Sequence, residues 1–396
     1  VKAVLFLPVA LAACRGVSLS TDFEGASAGR IEKVGETEFV CHLPGQADHD
    51  GRNRQVTWYA FRIEGARGRE VTVHLADLRG EYDYKPAAIA INGEAPPLQS
   101  ADGRSWRHLD SLAFDQDKEV ATLRVTPEGD SLLVAHLELY TPARLDRFLA
   151  EIGGHPDLKD EVIGKSVEGR DLHLLTITHP GSGEKKTVWL MCRQHAWESG
   201  TSFVGEGAIR FLLSPEGARL RDRIVFKIFP MMDPDGCARG GVRFNRNGYD
   251  LNRNWDTVDP ANPETSRLMP EIAAAKRAFA AGPRGDLFLT LHNQERGEWL
   301  SGSETHAEVA ERLFARLVGR TSFSPRGPRP EPPRGRSAPG RVTVYEYIDS
   351  MLGWPGFLLE QGIAPSPKLG RLPTSQDRSE FGAQLVNTMA EVILGR

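Results

Sequence analysis

The chain has 396 residues, 40% of them hydrophobic and 26% charged, with a formal net charge of −4. That composition is globular, and the length suits two domains. It lacks the basic excess of a nucleic-acid binder, and no apolar run reaches the roughly 20 residues of a conventional membrane-spanning helix.

Residues 1–20 stand apart. Lys2 is followed by a short apolar run ending in Leu11, Ala12, Ala13 and Cys14. A basic residue, a short apolar core and small residues before a cleavage point describe a secretory signal. The last four residues also resemble a bacterial lipobox. Cys14 would then be a lipid anchor, and the protein an exported envelope lipoprotein or periplasmic protein. A buried terminal strand or helix is the plainer alternative and would leave the protein cytoplasmic. Cys41, Cys192 and Cys237 share no CxxC spacing and are odd in number, so buried free thiols are expected rather than a zinc ribbon or a disulfide framework.

Residues 21–140 read as an all-β domain. Short runs with alternating apolar residues occur at 38–43, 56–63, 71–75, 120–125 and 132–137, separated by turns such as Asp50-Gly51, Asn92-Gly93 and Asp102-Gly103. Such spacing predicts a β-sandwich. No chemically useful cluster is evident here, and its histidines are expected to be structural or surface residues.

The pattern changes over 141–396. Thr141 and Pro142 open a helix over Pro142–Ile152. Strand candidates at 172–177, 187–192, 224–229, 286–292 and 357–359 alternate with helices, and a last amphipathic helix covers 375–394. That order predicts an α/β layer structure with a mostly parallel or mixed sheet, whose ligands bind beyond the strand ends. His195, His292 and Glu360 all fall at or just past such ends. The stretch 322–341 carries Arg326, Arg329, Arg334, Arg336 and Arg341 against one acid, Glu331. It reads as a mobile solvated loop, or else as a basic loop at a substrate entrance that attracts acidic groups.

The densest chemistry lies in Arg193-Gln194-His195-Ala196-Trp197-Glu198-Ser199-Gly200, between the strand at 187–192 and a helix at 201–213. A His and a Glu three apart on one loop can bind the same metal ion. Catalytic zinc commonly takes two His and one Glu and keeps a fourth position for water. The pair alone is weak, because an unrelated His and a solvated Glu meet this spacing by chance. Three further segments add to it: Met231 to Gly236, Gly241 to Trp255 with Asp250-Leu251-Asn252-Arg253-Asn254-Trp255, and the strand ends carrying His292 and Glu360.

In this order the segments resemble the zinc metallocarboxypeptidases of the carboxypeptidase A superfamily, and most closely the cytosolic-carboxypeptidase-like branch. The likeness covers about residues 163–362. It implies a mixed eight-stranded sheet flanked by helices, preceded by an all-β sandwich domain. It also implies one Zn2+ held by His195, Glu198 and His292, carboxypeptidase A being itself a standard example of that ligand set. Glu360 would be the general base and then acid, and Arg243 the positive charge against the developing oxyanion. Asn252 and Arg253 would hold the substrate's terminal carboxylate, and Tyr345 or Tyr347 would supply the tyrosine that such enzymes close over the substrate. Two departures are visible. Asp233 stands where the family usually has Asn, and no aromatic-Thr pair precedes Glu360. The implied activity is removal of C-terminal residues from peptides or proteins. Cleavage of peptidoglycan stem peptides is an alternative with the same metal, and a peptide-binding module with a degenerate peptidase domain is the non-enzymatic one.

Overall fold

The computed structural model describes residues 16–181, 183–302, 304–331 and 337–395. Cys14 and the apolar run before it lie outside the described residues. Val17 is buried, and Ser18–Ser20 pairs antiparallel with Ala60–Glu64. These residues therefore belong to the first sheet, although the sequence pattern groups them with the leader.

The N-terminal region is the expected sandwich. One five-stranded sheet runs, in spatial order, Ser18–Ser20, Ala60–Glu64, Ser131–Ala135, Leu98–Ser100 and Arg107–His108. The other runs Ala113–Asp115, Val120–Val125, Val71–Ala76, Glu38–His42 and Arg30–Lys33. Alternation decides which face is buried. In Val71–Ala76 the side chains of Val71, Val73 and Leu75 point inward, and those between them are only half-buried. They pack with Phe61, Ile63 and Val134 of the opposite sheet in one core. A smaller four-stranded sheet, Gln46–Ala47, Arg54–Gln55, Glu81–Tyr82 and Lys85–Pro86, stands apart from the two.

The C-terminal region has a mixed sheet in the order Leu158–Lys165, Asp171–Ile177, Ile224–Phe229, Lys186–Met191, Leu287–Gln294, Gly356–Gly362 and Trp299–Gly302. The four strands from Ile224–Phe229 to Gly356–Gly362 are mutually parallel, and the outer ones are antiparallel. The two central strands are buried almost throughout, as parallel strands covered on both faces must be. The sheet has seven strands among the described residues, not eight. At the Trp299–Gly302 edge, pairing continues among the described residues as a single bridge from Ser301 to Glu331. Pro328 and Pro330 precede that bridge, and proline cannot donate to a ladder.

Ser199–Leu213, Ala307–Arg320 and Ser375–Ile393 share one core with the sheet, and Pro270–Ala281 and Val344–Leu352 belong to a second. Ser199–Leu213 and Ser375–Ile393 approach unusually closely. A Cβ on Gly207 would lie 2.0 Å from the Ser379 carbonyl oxygen, and one on Gly382 would lie 2.1 Å from that of Val204. Among the described residues no helix is long and apolar enough to cross a membrane.

The chain leaves Lys186–Met191 toward one neighbour and later returns on its other side, so the sheet order reverses there. A crevice opens at the carboxyl ends of strands at such a point. His195 follows that strand directly, and His292 and Glu360 sit near the ends of the next two.

Candidate metal centre and pocket

The loop after Lys186–Met191 is held from beneath by Arg193. Its backbone is left-handed (φ 58°), and its side chain is 2% exposed. The guanidinium donates to the Ala196 carbonyl from Nε (2.9 Å) and Nη2 (2.6 Å), and to Ser202 Oγ (3.0 Å). Five donors in a fixed fork suit Arg to this bracing. The loop then turns Glu198 back under His195, one residue before the helix Ser199–Leu213.

The three expected ligands converge. His195 Nδ1 lies 2.7 Å from Glu198 Oε1, His292 Nδ1 lies 3.0 Å from Glu198 Oε2, and the two Nδ1 atoms are 3.3 Å apart. All three residues are buried, and one donor atom from each falls within 4.8 Å of the others. Two imidazole nitrogens and a carboxylate aimed at one point are the donor set of a catalytic zinc site, so these residues fit one zinc ion. Burial works to raise the Glu198 pKa, but the two imidazoles outweigh it and hold the carboxylate well below its ordinary range.

The outward nitrogens are oriented as well. His195 Nε2 faces Asp250 Oδ1 at 3.1 Å, while Asp250 Oδ2 accepts from Arg243 Nε at 2.7 Å. Despite burial, Arg243 and His195 keep Asp250 far below the usual carboxylate pKa. His292 Nε2 is 3.2 Å from Gln194 Oε1, which also accepts the Thr290 hydroxyl at 2.7 Å. Gln194 Nε2 donates to the Leu251 carbonyl at 2.6 Å. Carboxylates and carbonyl oxygens behind ligand imidazoles fix tautomer and ring orientation. Asp250 and Gln194 lie within the quoted motifs, but their spacing alone assigns them no role.

Glu360 stands opposite His292 in the parallel register. Its Oε2 is buried without a hydrogen-bond partner among the described residues. Burial, and then the charge of Glu198, push its pKa well above the ordinary value, against the pull of Arg243. His195, His292, Glu360, Arg243, Asn252 and Arg253 all line a pocket of about 290 Å³. Arg253 Nη1 donates to the Asn252 carbonyl at 2.7 Å. The Asn252 amide is engaged on both sides, its Oδ1 accepting from Val344 N–H at 3.1 Å and its Nδ2 lying 3.2 Å from His292 Nε2. Tyr345 lines the pocket too. Tyr347 is not among the lining residues. It packs on Trp255 (ring centroids 5.6 Å apart) and under Lys276 (4.5 Å), where the helix Val344–Leu352 turns it toward the core.

Sequence spacing gives no hint of the contribution of the small N-terminal sheet. Gln46 Oε1 accepts from three consecutive backbone N–H groups, Val242 (2.9 Å), Arg243 (2.6 Å) and Phe244 (2.9 Å), and its Nε2 donates to the Phe244 carbonyl at 2.6 Å. His49 N–H donates to the Gly248 carbonyl at 2.9 Å, and its ring stacks on Tyr249 at 4.0 Å. The loop carrying Arg243 and Asp250 is thus clamped from the N-terminal region. Elsewhere His42, His74, His173 and His179 pair with carboxylates, and Cys41, Cys192 and Cys237 are buried free thiols, as expected.

Comparison with known proteins agrees with this geometry. Residues 145–297 match the zinc carboxypeptidase family, and residues 19–137 match the cytosolic carboxypeptidase N-terminal domain. Cytosolic carboxypeptidase 6 of Mus musculus is 29% identical over 266 residues, covering 60% of this chain and 46% of that protein. The Caenorhabditis elegans protein of the same name is 28% identical over 313 residues, covering 75% and 67%. The chain spans about half the length of the first mammalian relatives it matches. A metallo-carboxypeptidase from Burkholderia cenocepacia superposes with a TM-score of 0.81 at 24% identity, over 96% of this chain and 99% of that one. A metallo-carboxypeptidase from Pseudomonas aeruginosa, solved with (2-guanidinoethylmercapto)succinic acid, gives 0.78 at 23% identity, over 94% and 98%. Those likenesses establish the fold. With both of its regions matched in order, the chain carries a zinc carboxypeptidase domain preceded by a cytosolic carboxypeptidase N-terminal domain.

Proposed function

We infer that this protein is a zinc-dependent carboxypeptidase that hydrolyses the C-terminal peptide bond of peptides or proteins. The observation that carries this reading is the meeting of His195, Glu198 and His292 with Glu360, Arg243 and Arg253 around one pocket. His195, Glu198 and His292 would hold the ion. Zinc bound there supplies Lewis acidity, lowering the pKa of a water toward neutrality and polarising the scissile carbonyl. Glu360 Oε2, buried and without a hydrogen-bond partner among the described residues, would take a proton from the attacking water and return it to the leaving amine nitrogen. The Arg243 guanidinium, fixed by Asp250, offers a positive charge to the oxygen that becomes anionic in the transition state. Arg253 presents a planar fork to the terminal carboxylate, with Asn252 bracing the same loop. Tyr345 is the tyrosine better placed to contact the substrate.

The reading divides the chain into a leader, a β-sandwich domain to about residue 140 and a catalytic domain from 141. The relatives compared above are named as carboxypeptidases, which favours peptide ends over cell-wall stem peptides. Their name favours the cytoplasm, whereas the pattern of residues 2–14 favours export with lipid on Cys14. Fractionating cells that express the full chain and a Cys14→Ala variant separates the two.

The test of function is direct. Purified protein is expected to hold one zinc per chain, to lose activity in chelator and to regain it with zinc. Glu360→Gln is expected to lower kcat by about 10²-fold or more while zinc stays bound. Full activity in a metal-stripped sample would sink the proposal. Equal cleavage of free and C-terminally amidated peptides would remove the assigned role of Arg253.

A further inference from the structure

The catalytic pocket is not walled by the α/β region alone. Arg52 and Tyr82, from the small N-terminal sheet, line it together with His195, Arg253 and Glu360. Tyr82 ends the strand Glu81–Tyr82, which pairs antiparallel with Lys85–Pro86, and it is 52% exposed. The turn between these strands runs through Asp83 (φ 54°) and Tyr84 (φ 60°). A left-handed backbone is costly for a tyrosine, so contacts must hold this turn. Tyr84 N–H donates to the Arg52 carbonyl at 2.9 Å, and Asp83 N–H donates to Asn53 Oδ1 at 3.1 Å. Arg52 Nη2 pairs with Asp83 at 2.8 Å. Asn53 is tied in turn to Asp48 by its backbone (3.0 Å) and its amide (2.6 Å).

This bracing has a chemical result. One end of the Arg52 guanidinium is spent on Asp83, while its Nε–H is buried and has no acceptor among the described residues. A buried donor left without an acceptor is costly unless something else supplies one. Tyr82 and Arg253 line the same pocket. The Arg52 guanidinium and the Tyr82 phenol can give hydrogen bonds to carboxylate or carbonyl oxygens, beside the arginine assigned to the terminal carboxylate.

The geometry points to Arg52 and Tyr82 as substrate-binding residues, which donate from the guanidinium and the phenol hydroxyl to oxygens of the peptide's C-terminal residue. The N-terminal region is then part of the substrate site. This inference rests on the carboxypeptidase reading above.

The experiment uses the zinc-loaded full chain and an N-blocked dipeptide with a free C-terminus. Arg52→Ala is expected to raise KM about ten-fold with kcat changed less than about two-fold, the loss of one charge-assisted hydrogen bond. Tyr82→Phe keeps every hydrogen bond of the turn and is expected to raise KM about three-fold or more. Arg52→Lys is expected not to restore binding, because an ammonium cannot hold Asp83 and present a second fixed donor together. Tyr84→Asn, outside the pocket and suited to a left-handed turn, is expected to leave KM unchanged. Unchanged KM in both Arg52→Ala and Tyr82→Phe, in an enzyme that cleaves the peptide, overturns the inference alone. A wild type that cleaves no free-ended peptide overturns the carboxypeptidase reading, and this one with it.

Discussion

Asp250 touches both His195 and Arg243, so one carboxylate orients the proposed metal ligand and the proposed catalytic cation. Asp250→Asn keeps the shape but gives up the charge. It is expected to weaken zinc binding by about 10- to 100-fold, read by chelator competition, and to lower kcat more than it raises KM. Unchanged zinc affinity would mean that the imidazole is held by its packing alone. At this scale the cluster of His195, Glu198 and His292 was legible only through the resemblance carried by the order of the segments, because the His-x-x-Glu pair alone meets that spacing by chance. His292 and Glu360 were legible as strand ends. The groups behind them were not. Gln194 Oε1 meets Thr290 and His292 only when the strand Leu287–Gln294 lies beside Lys186–Met191, and no local spacing encodes that pairing.

Among the elements, the loop from Gly241 to Asp250 depends on a partner about 200 residues earlier in the chain. Gln46 Oε1 gathers three of its N–H groups around Arg243. Gln46→Ala leaves those donors unsatisfied and the Arg243 backbone loose. It is expected to lower kcat by about ten-fold and stability by about 1–3 kcal/mol, with little change in zinc content. Combined with Arg243→Ala, its effect on kcat should be largely absorbed, whereas additive losses would show that Gln46 does not act through Arg243. Regular elements were read well where the apolar period is clear, as in Pro142–Ile152 and Ser375–Ile393, although the Thr141 side chain makes no capping hydrogen bond. The edge strand Trp299–Gly302 and the helix Val344–Leu352 were missed, being too short for a period to stand out. The same helix decides between the two tyrosines, turning Tyr345 to the pocket and Tyr347 to Trp255.

For the whole molecule, pH stability is set partly by buried acids away from the pocket. Burial pushes Glu271 up to about 8 and Asp233 up to about 7. A carboxyl whose folded pKa is raised stabilises the fold fully below its unfolded value. That contribution is lost as pH climbs through the folded value. Stability is therefore expected to fall between about pH 5 and 8. Glu271→Gln should flatten that slope, gaining on the order of a few kcal/mol at pH 8 relative to pH 5 in urea melts. An unaltered slope would show that Glu271 is ionised in the fold. The close crossing of Ser199–Leu213 and Ser375–Ile393 at Gly207 and Gly382 has a consequence for synthesis. The helix that follows Glu198 finds its packing surface only after residue 382 has left the ribosome. Domains fold as units while the chain emerges, so the sandwich can form early. The loop of His195 and Glu198 is then backed by its partner helix only once the chain has been made past Gly382, so metal capture there is expected to follow synthesis of that helix.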